Sequence, residues 1–223
     1  MNYRKYMTTE EVSRLRTHAE GESLIDLEHG RRRGPLAWLL VDFALSTGLR
    51  VSEIAQITLV DVDTKRKILT VHRAKKREII PGKFKPGKDG KQIPCYKPRP
   101  VVESLAISPE LSDHLRQYID NQRPASESDR LWVGKRGPMT KVGLQLLWQG
   151  ALRRAGLTNG GGKALYSIHG ARHTLAVCLL RKTGNLRQVQ AQLGHSSPVT
   201  TANLYAQVTE DDMRAGVTDL YKP

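Results

Sequence analysis

Hydrophobic residues recur at helical spacing along much of the chain. Leu36, Leu39 and Phe43 follow one another at intervals of three and four residues, which predicts a helix over residues 35–46 with one apolar side. Gly48 comes directly after it and can adopt the left-handed conformation that commonly ends a helix. The residues just beyond Gly48 are therefore expected at an exposed helix end, where a short helix restarts over residues 51–57.

Capping signals define further helices. Thr8 and Glu11 form a capping box, so a first helix is expected from Thr8 to about residue 20. The basic, glycine-containing residues 29–34 are then predicted to be a loop. The other predicted helices are one opened by Ser108 and Pro109, residues 140–155, 170–182 and 185–193, one opened by Ser197 and Pro198, and a short tail helix after residue 210.

The periodicity changes to that of β-structure in two places. Residues 68–71 and 101–107 are rich in β-branched and aliphatic side chains and are predicted to form a small antiparallel sheet. Between them, residues 75–100 mix Lys and Arg with Gly and Pro, which favours an exposed loop that reaches toward a charged ligand and is mobile without it. The glycines at 160–162 are interpreted as a flexible linker. The predicted fold class is mainly α with a small antiparallel β-sheet (α+β).

The composition indicates that the protein binds a negatively charged partner. The 223 residues carry 36 Lys and Arg against 22 acidic residues, a formal charge of +14, which is typical of a protein that binds a polyanion such as nucleic acid. The alternative is a charge that serves only solubility. Two isolated cysteines indicate neither a disulfide framework nor a metal site, and the sequence has no secretion signal or membrane-spanning stretch, so we expect a cytoplasmic protein.

Four short motifs occur in a fixed order. They are TGLRVSE at 47–53, HGARHT at 169–174, LGHS at 193–196 and, ten residues after the last histidine, Tyr205. In this order and spacing they resemble the tyrosine recombinase, or phage integrase, family from about residue 8 to residue 208. The resemblance implies that family's catalytic-domain fold and a nucleophilic tyrosine.

The motif residues suit the cleavage of a phosphodiester. A phenol has a pKa near 10, so Tyr205 needs activation by a base or by a positive field. Arg50 and Arg172 can each donate a planar pair of hydrogen bonds to phosphate oxygens. The resemblance assigns His169 as general base or phosphate-positioning group and His195 as a hydrogen-bond donor to phosphate.

The resemblance also requires a lysine on a β-hairpin as general acid. Lys75 follows the predicted strand at 68–71 and is our choice, although Lys76, Arg77 and Lys97 lie close enough to compete. Glu53 is expected to buttress Arg50, and His173 to be a structural support beside Arg172. The basic residues expected to contact DNA phosphates are Lys76, Arg77, Lys83, Lys85, Lys88 and Lys91.

These assignments predict a site-specific DNA recombinase that cleaves and rejoins strands through a 3′-phosphotyrosyl intermediate, without a metal or cofactor. Two alternatives stay open: strand passage like that of a type IB topoisomerase, and a DNA-binding regulator that retains the fold without the chemistry. A basic ribosomal or RNA-binding protein would explain the charge but not the ordered motifs.

The resemblance also implies an organisation. Residues 1–208 are expected to be the catalytic domain and residues 209–223 a tail that exchanges between protomers. The expected partner is double-stranded DNA, on which four protomers assemble in the nucleoid, with a monomer as the free form. The family's usual separate DNA-clamping domain does not precede residue 8, so either the chain is part of a longer protein or it resembles minimal members of the family.

Overall fold

The computed structural model describes residues 5–86 and 89–194, apart from the side chains of residues 74–78 and 96–100. Within these ranges the fold is mainly α with antiparallel β-structure, which confirms the predicted fold class, although two sheets are present where one was predicted. No helix among the described residues is long and apolar enough to cross a membrane. The helices are α1 (Thr9–Glu28), α2 (Arg33–Thr47), α3 (Val51–Ile54), α4 (Pro109–Gln117), α5 (Lys141–Arg154), α6 (Ile168–Thr183) and α7 (Leu186–Leu193), and the strands are β1 (Val62–Asp63), β2 (Ile68–Pro86), β3 (Gln92–Ala106), β4 (Val133–Gly134) and β5 (Gly137–Pro138).

Helix α2 forms the centre of the core. The sequence predicted one apolar side, but the helix is buried around almost its whole circumference, including Val41 on the side away from Leu39. Helices α1, α4, α5 and α6 all pack against it. A helix surrounded in this way fixes the position of its own C-terminal turn, where Gly48 and Arg50 lie.

Helix α1 is longer than predicted. It continues to Glu28 because Leu15, Ala19 and Ser23, spaced four residues apart, form a buried stripe facing α2. The loop predicted at residues 29–34 is shorter than expected, since α2 begins at Arg33. The Asp26 carboxylate accepts a hydrogen bond from the backbone N–H of Gly34 at 2.7 Å, which stabilises that helix start.

The segment at 75–100 was predicted to be an exposed loop; most of its described side chains are exposed, but the loop assignment is wrong. Strands β2 and β3 extend through most of it as a long antiparallel hairpin, paired from Ile68↔Ala106 out to Pro86↔Gln92. The residues at its tip, 87–88, lie outside the described part. Because backbone hydrogen bonds across the pair do not require apolar side chains, a charged segment rich in Gly and Pro can still form this ribbon.

The glycines at 160–162 form a tight turn and not a flexible linker. Asn159 Oδ1 accepts hydrogen bonds from the backbone N–H groups of Gly161 and Lys163, at 3.1 and 3.0 Å. Thr158 and Ala164 pair across the turn as an isolated bridge. The hydrogen bonds of the Asn159 side chain therefore order a segment that its glycine content predicted to be flexible.

Candidate active site

The C-terminal turn of α2 positions Arg50. Gly48 ends the helix with a φ angle of 62°, and Arg50 is the N-cap residue of α3. Its backbone N–H donates to Glu53 Oε2 at 2.9 Å, and its Nη1 donates to Glu53 Oε1 at 3.1 Å. Glu53 is buried and the Arg50 side chain is 39% exposed, so the guanidinium is held on one side and open to solvent on the other.

Arg172 brings three of the motifs together. The residue is 1% exposed on α6; its Nη1 donates to the Gly48 carbonyl at 2.8 Å and its Nη2 to the Leu193 carbonyl at 2.7 Å. Gly48 belongs to the motif that carries Arg50, and Leu193 opens the motif that carries His195. A single guanidinium therefore joins segments that are more than a hundred residues apart.

The site concentrates positive charge. Burial, together with the charges of Arg50 and Arg73, lowers the pKa of Arg172 to about 10, while Glu53 opposes the shift. Arg172 is still protonated at neutral pH. The guanidinium groups of Arg50, Arg73 and Arg172 outnumber the two carboxylates that contact them, Glu53 and Glu103, which is a favourable environment for an anion such as phosphate.

His169 and His173 lie one turn apart on α6, with their rings edge to face at a centroid distance of 4.8 Å. Burial and the charges of Arg172 and Arg50 lower the pKa of His169. Burial, His169, Lys5 and Arg172 lower the pKa of His173 to about 4. Both rings are therefore neutral at pH 7, and a neutral His169 can accept a proton.

The backbone of Lys75 lies in a β-bulge. Arg73 pairs with Val101 and Lys76 pairs with Arg99, so residues 74 and 75 lie opposite residue 100 alone. Lys76 and Arg77 continue strand β2, but the side chains of all three lie outside the described part. Lys83, Lys85 and Lys91 are exposed towards the far end of the hairpin, while Lys88, His195 and Tyr205 are outside the described residues.

Sequence reasoning missed Arg73. This arginine is 1% exposed on β2, and its Nη1 donates to the Leu193 carbonyl at 3.1 Å and pairs with Glu103 Oε2 at 2.8 Å. A signal was present in the sequence. Leu69, Val71 and Arg73 follow one another at intervals of two residues, so Arg73 lies on the same inward face of the strand as the two apolar residues. A charged residue at an inward position of a strand indicates a specific internal partner.

The site contains several hydrogen-bond donors, those of Arg50, Arg73 and Arg172. In the described ranges no group of three or more His, Cys, Asp or Glu side chains is arranged to bind a metal ion. A guanidinium group can donate paired hydrogen bonds to an anion such as phosphate.

Comparisons with known proteins show the family and the fold. The model of the phage integrase family matches residues 5–212. The tyrosine recombinase XerD of Mycobacterium leprae is 30% identical over 217 residues, covering 94% of this chain and 58% of the relative. The tyrosine recombinase XerA of Thermococcus kodakarensis is 29% identical, covering 94% of this chain and 60% of the relative. The chain thus spans a little over half the length of these relatives.

Solved structures share the fold. The crystal structure of XerA recombinase superposes with a TM-score of 0.70 at 21% identity, covering 100% of this chain and 66% of that one. The Tn1549 transposon integrase, in complex with transposon right end DNA, gives a TM-score of 0.66 at 21% identity, covering 97% and 66%.

Proposed function

The chain belongs to the phage integrase family, and from that premise we propose that it is a site-specific DNA recombinase acting through a covalent phosphotyrosine. The observation that carries the proposal is the pair of hydrogen bonds from Arg172 to the carbonyls of Gly48 and Leu193. These bonds join helix α6 to the turn that precedes Arg50, and burial together with the charges of Arg172 and Arg50 lowers the pKa of His169, which supports one shared site.

The proposed reaction is a reversible transesterification. The Tyr205 phenolic oxygen forms a bond to phosphorus as the bond from phosphorus to the 5′ oxygen breaks, and the phenolic proton passes to His169. Arg50, Arg172 and His195 stabilise the charge on the non-bridging oxygens, and Lys75 donates a proton to the departing 5′ oxygen. The reverse attack by the 5′ hydroxyl of another strand gives recombination, and no step requires a metal or a nucleotide.

We further propose that the β2–β3 hairpin contacts the DNA backbone. Lys83 and Lys85 are both exposed near the outer end of β2, close to each other in the chain. Exposed lysines near the end of a ribbon suit neighbouring phosphates and add affinity without sequence choice. Lys76, Arg77, Lys88 and Lys91 are proposed to add to the same surface.

The test uses a library of nicked duplexes with randomised cores, in which loss of a short strand fragment traps any covalent adduct. Wild-type protein is expected to form an SDS-stable protein–DNA adduct in the presence of EDTA. Tyr205→Phe is expected to form none, while Tyr221→Phe, which removes another phenol of the C-terminal segment, retains it. A protein that binds these duplexes without an adduct would instead be a regulator, and an adduct that persists in Tyr205→Phe would refute the assigned nucleophile.

The selected site then distinguishes recombination from topoisomerase activity. Plasmids that carry two copies are expected to yield recombinant products. Relaxation of supercoils with no recombinant product would identify topoisomerase-like strand passage.

The remaining proposals concern assembly. We place the catalytic domain at residues 1–208 and propose that residues 209–223 contact a neighbouring protomer in a tetramer on DNA in the nucleoid, the free chain being monomeric. A chain ending at Val208 is expected to form the covalent adduct but to lose tetramers in sedimentation with DNA. If the shortened chain still forms tetramers on DNA, residues 209–223 are not needed for contact between protomers.

A further inference from the structure

Arg73 is buried at a position where the loss of hydration of a guanidinium group is energetically unfavourable. It lies on the inward face of β2, in line with Leu69 and Val71, and only 1% of it is exposed. A guanidinium removed from water is destabilising by several kcal/mol unless it is well paired, and an apolar side chain of similar volume would often pack there at lower cost. The residue therefore calls for an explanation beyond stability.

The partners of Arg73 belong to the proposed active site. Nη1 lies 3.1 Å from the Leu193 carbonyl and 2.8 Å from Glu103 Oε2, and Nε lies 3.9 Å from Glu53 Oε1. Nε has no hydrogen-bond partner in the described part of the chain. The same Glu53 oxygen accepts from Arg50 Nη1, so one carboxylate lies between the guanidinium groups of Arg50 and Arg73.

The Leu193 carbonyl is the second point of convergence. It is the last carbonyl of α7 and lies before the left-handed Gly194, so the helix itself offers it no partner. Arg73 from β2 and Arg172 from α6 both donate to it. Two charged donors from different elements thus fix the end of α7, from which the chain continues to His195 and Tyr205.

We propose that Arg73 is a positioning residue for strand cleavage. It anchors the end of α7 through the Leu193 carbonyl, and it holds Glu53 against Arg50. It acts through these neighbours and not by contact with phosphate. This inference rests on the proposed function and adds a residue to its machinery that the four motifs do not contain.

The test compares Arg73→Lys and Arg73→Gln with wild type on the selected duplex. A lysine at this position retains the charge. Its ammonium group lacks the planar set of donors with which the guanidinium contacts the Leu193 carbonyl, Glu53 and Glu103. In single-turnover cleavage we expect about a hundredfold loss for Gln and a smaller loss for Lys, because displacements near 1 Å slow a positioned reaction by that order. The Kd for DNA should stay within about twofold, since the role is not one of phosphate binding.

Hydrogen exchange supplies a readout that does not depend on activity. Amides at the end of α7, residues 190–194, are expected to exchange faster in both variants, while those of α2 stay protected. Arg66→Lys, at an exposed arginine just before β2, is the matched control and should change neither rate nor exchange.

The outcomes separate this inference from the function on which it rests. If wild-type protein forms no adduct, the proposed function fails. If wild type cleaves and folded Arg73→Lys and Arg73→Gln cleave within twofold of it, only the role of Arg73 fails. A loss of DNA affinity equal to the loss of rate, or slower cleavage with unchanged exchange in α7, would also overturn positioning through Leu193.

Discussion

Gly48 meets two separate demands at a single residue. Its φ of 62° favours glycine, and a Cβ atom there would lie 2.7 Å from Leu193 Cδ2 and 2.9 Å from Leu175 Cδ2. The close approach of α7 to this turn is the same packing that brings the Leu193 carbonyl within reach of Arg172.

Replacement of Gly48 by alanine is therefore expected to destabilise the protein by about 2–3 kcal/mol, combining backbone strain with displacement of the two leucines. Gly184→Ala is the matched control, because Gly184 has φ 61° but nothing within 4 Å of the added methyl group. Urea unfolding should show the smaller loss for Gly184→Ala. Equal losses would mean that packing against α7 contributes nothing.

His173 makes stability depend on pH. Its pKa in the folded chain is about 4, against an ordinary value of 6.5, because burial and the neighbouring His169, Lys5 and Arg172 disfavour the charged ring. Between these values the unfolded chain binds one proton more than the folded chain, so stability decreases as pH falls from 6.5 towards 4.

The free energy of unfolding is expected to fall by up to about 3 kcal/mol across that window. His173→Asn should flatten the slope in urea titrations at successive pH values above 4.5, while His18→Asn, at an exposed histidine of α1, should leave it intact. An unchanged slope in His173→Asn would assign the effect to other groups.

At the scale of elements, the hairpin is expected to carry part of the DNA affinity. Lys83→Ala with Lys85→Ala should raise the Kd severalfold and reduce the slope of log K against log salt by about 2, since each lysine neutralises about one phosphate. Lys65→Ala with Arg66→Ala removes the same charge in the turn before β2, at the opposite end of the strand. Fluorescence anisotropy at several salt concentrations measures both pairs, and equal slopes would mean that only net charge matters.

At the scale of the whole molecule, Asp42 joins three helices. It lies 3% exposed on α2, accepts from Arg16 of α1 at 2.7 Å and from His114 of α4 at 2.8 Å. Burial alone would raise its pKa, but the bonds to His114 and Arg16 outweigh burial and the pKa is lowered.

Asp42→Asn is expected to lower the free energy of unfolding by about 3 kcal/mol, since removal of one partner leaves a charge without its buried counterpart. Asp113→Asn, at a carboxylate that is 68% exposed and paired with Arg116, should cost less than about 1 kcal/mol. Thermal and urea unfolding compare the two, and a small loss for Asp42→Asn would show that apolar packing alone holds these helices together.

Local sequence determined much of this protein. The capping box at Thr8, the cap at Ser108 and the left-handed glycine at 48 each depend on residues within one helical turn, and all three are present as predicted. The structure brings Arg50, Glu53, His169 and Arg172, which the motifs singled out, into one region. The roles of all the site residues stay predictions, and His195 and Tyr205 lie outside the described residues.

Tertiary structure alone decided the rest. The extension of β2 and β3 through a segment that looked like a loop depends on pairing between residues up to 23 positions apart, such as Lys76 and Arg99. The burial of Arg73 depends on acceptors at Glu103 and Leu193, which no nearby residue indicates. Periodicity and capping act over a few residues and can be read locally, whereas the stability of a buried charge is set by groups that meet it only when the chain has folded.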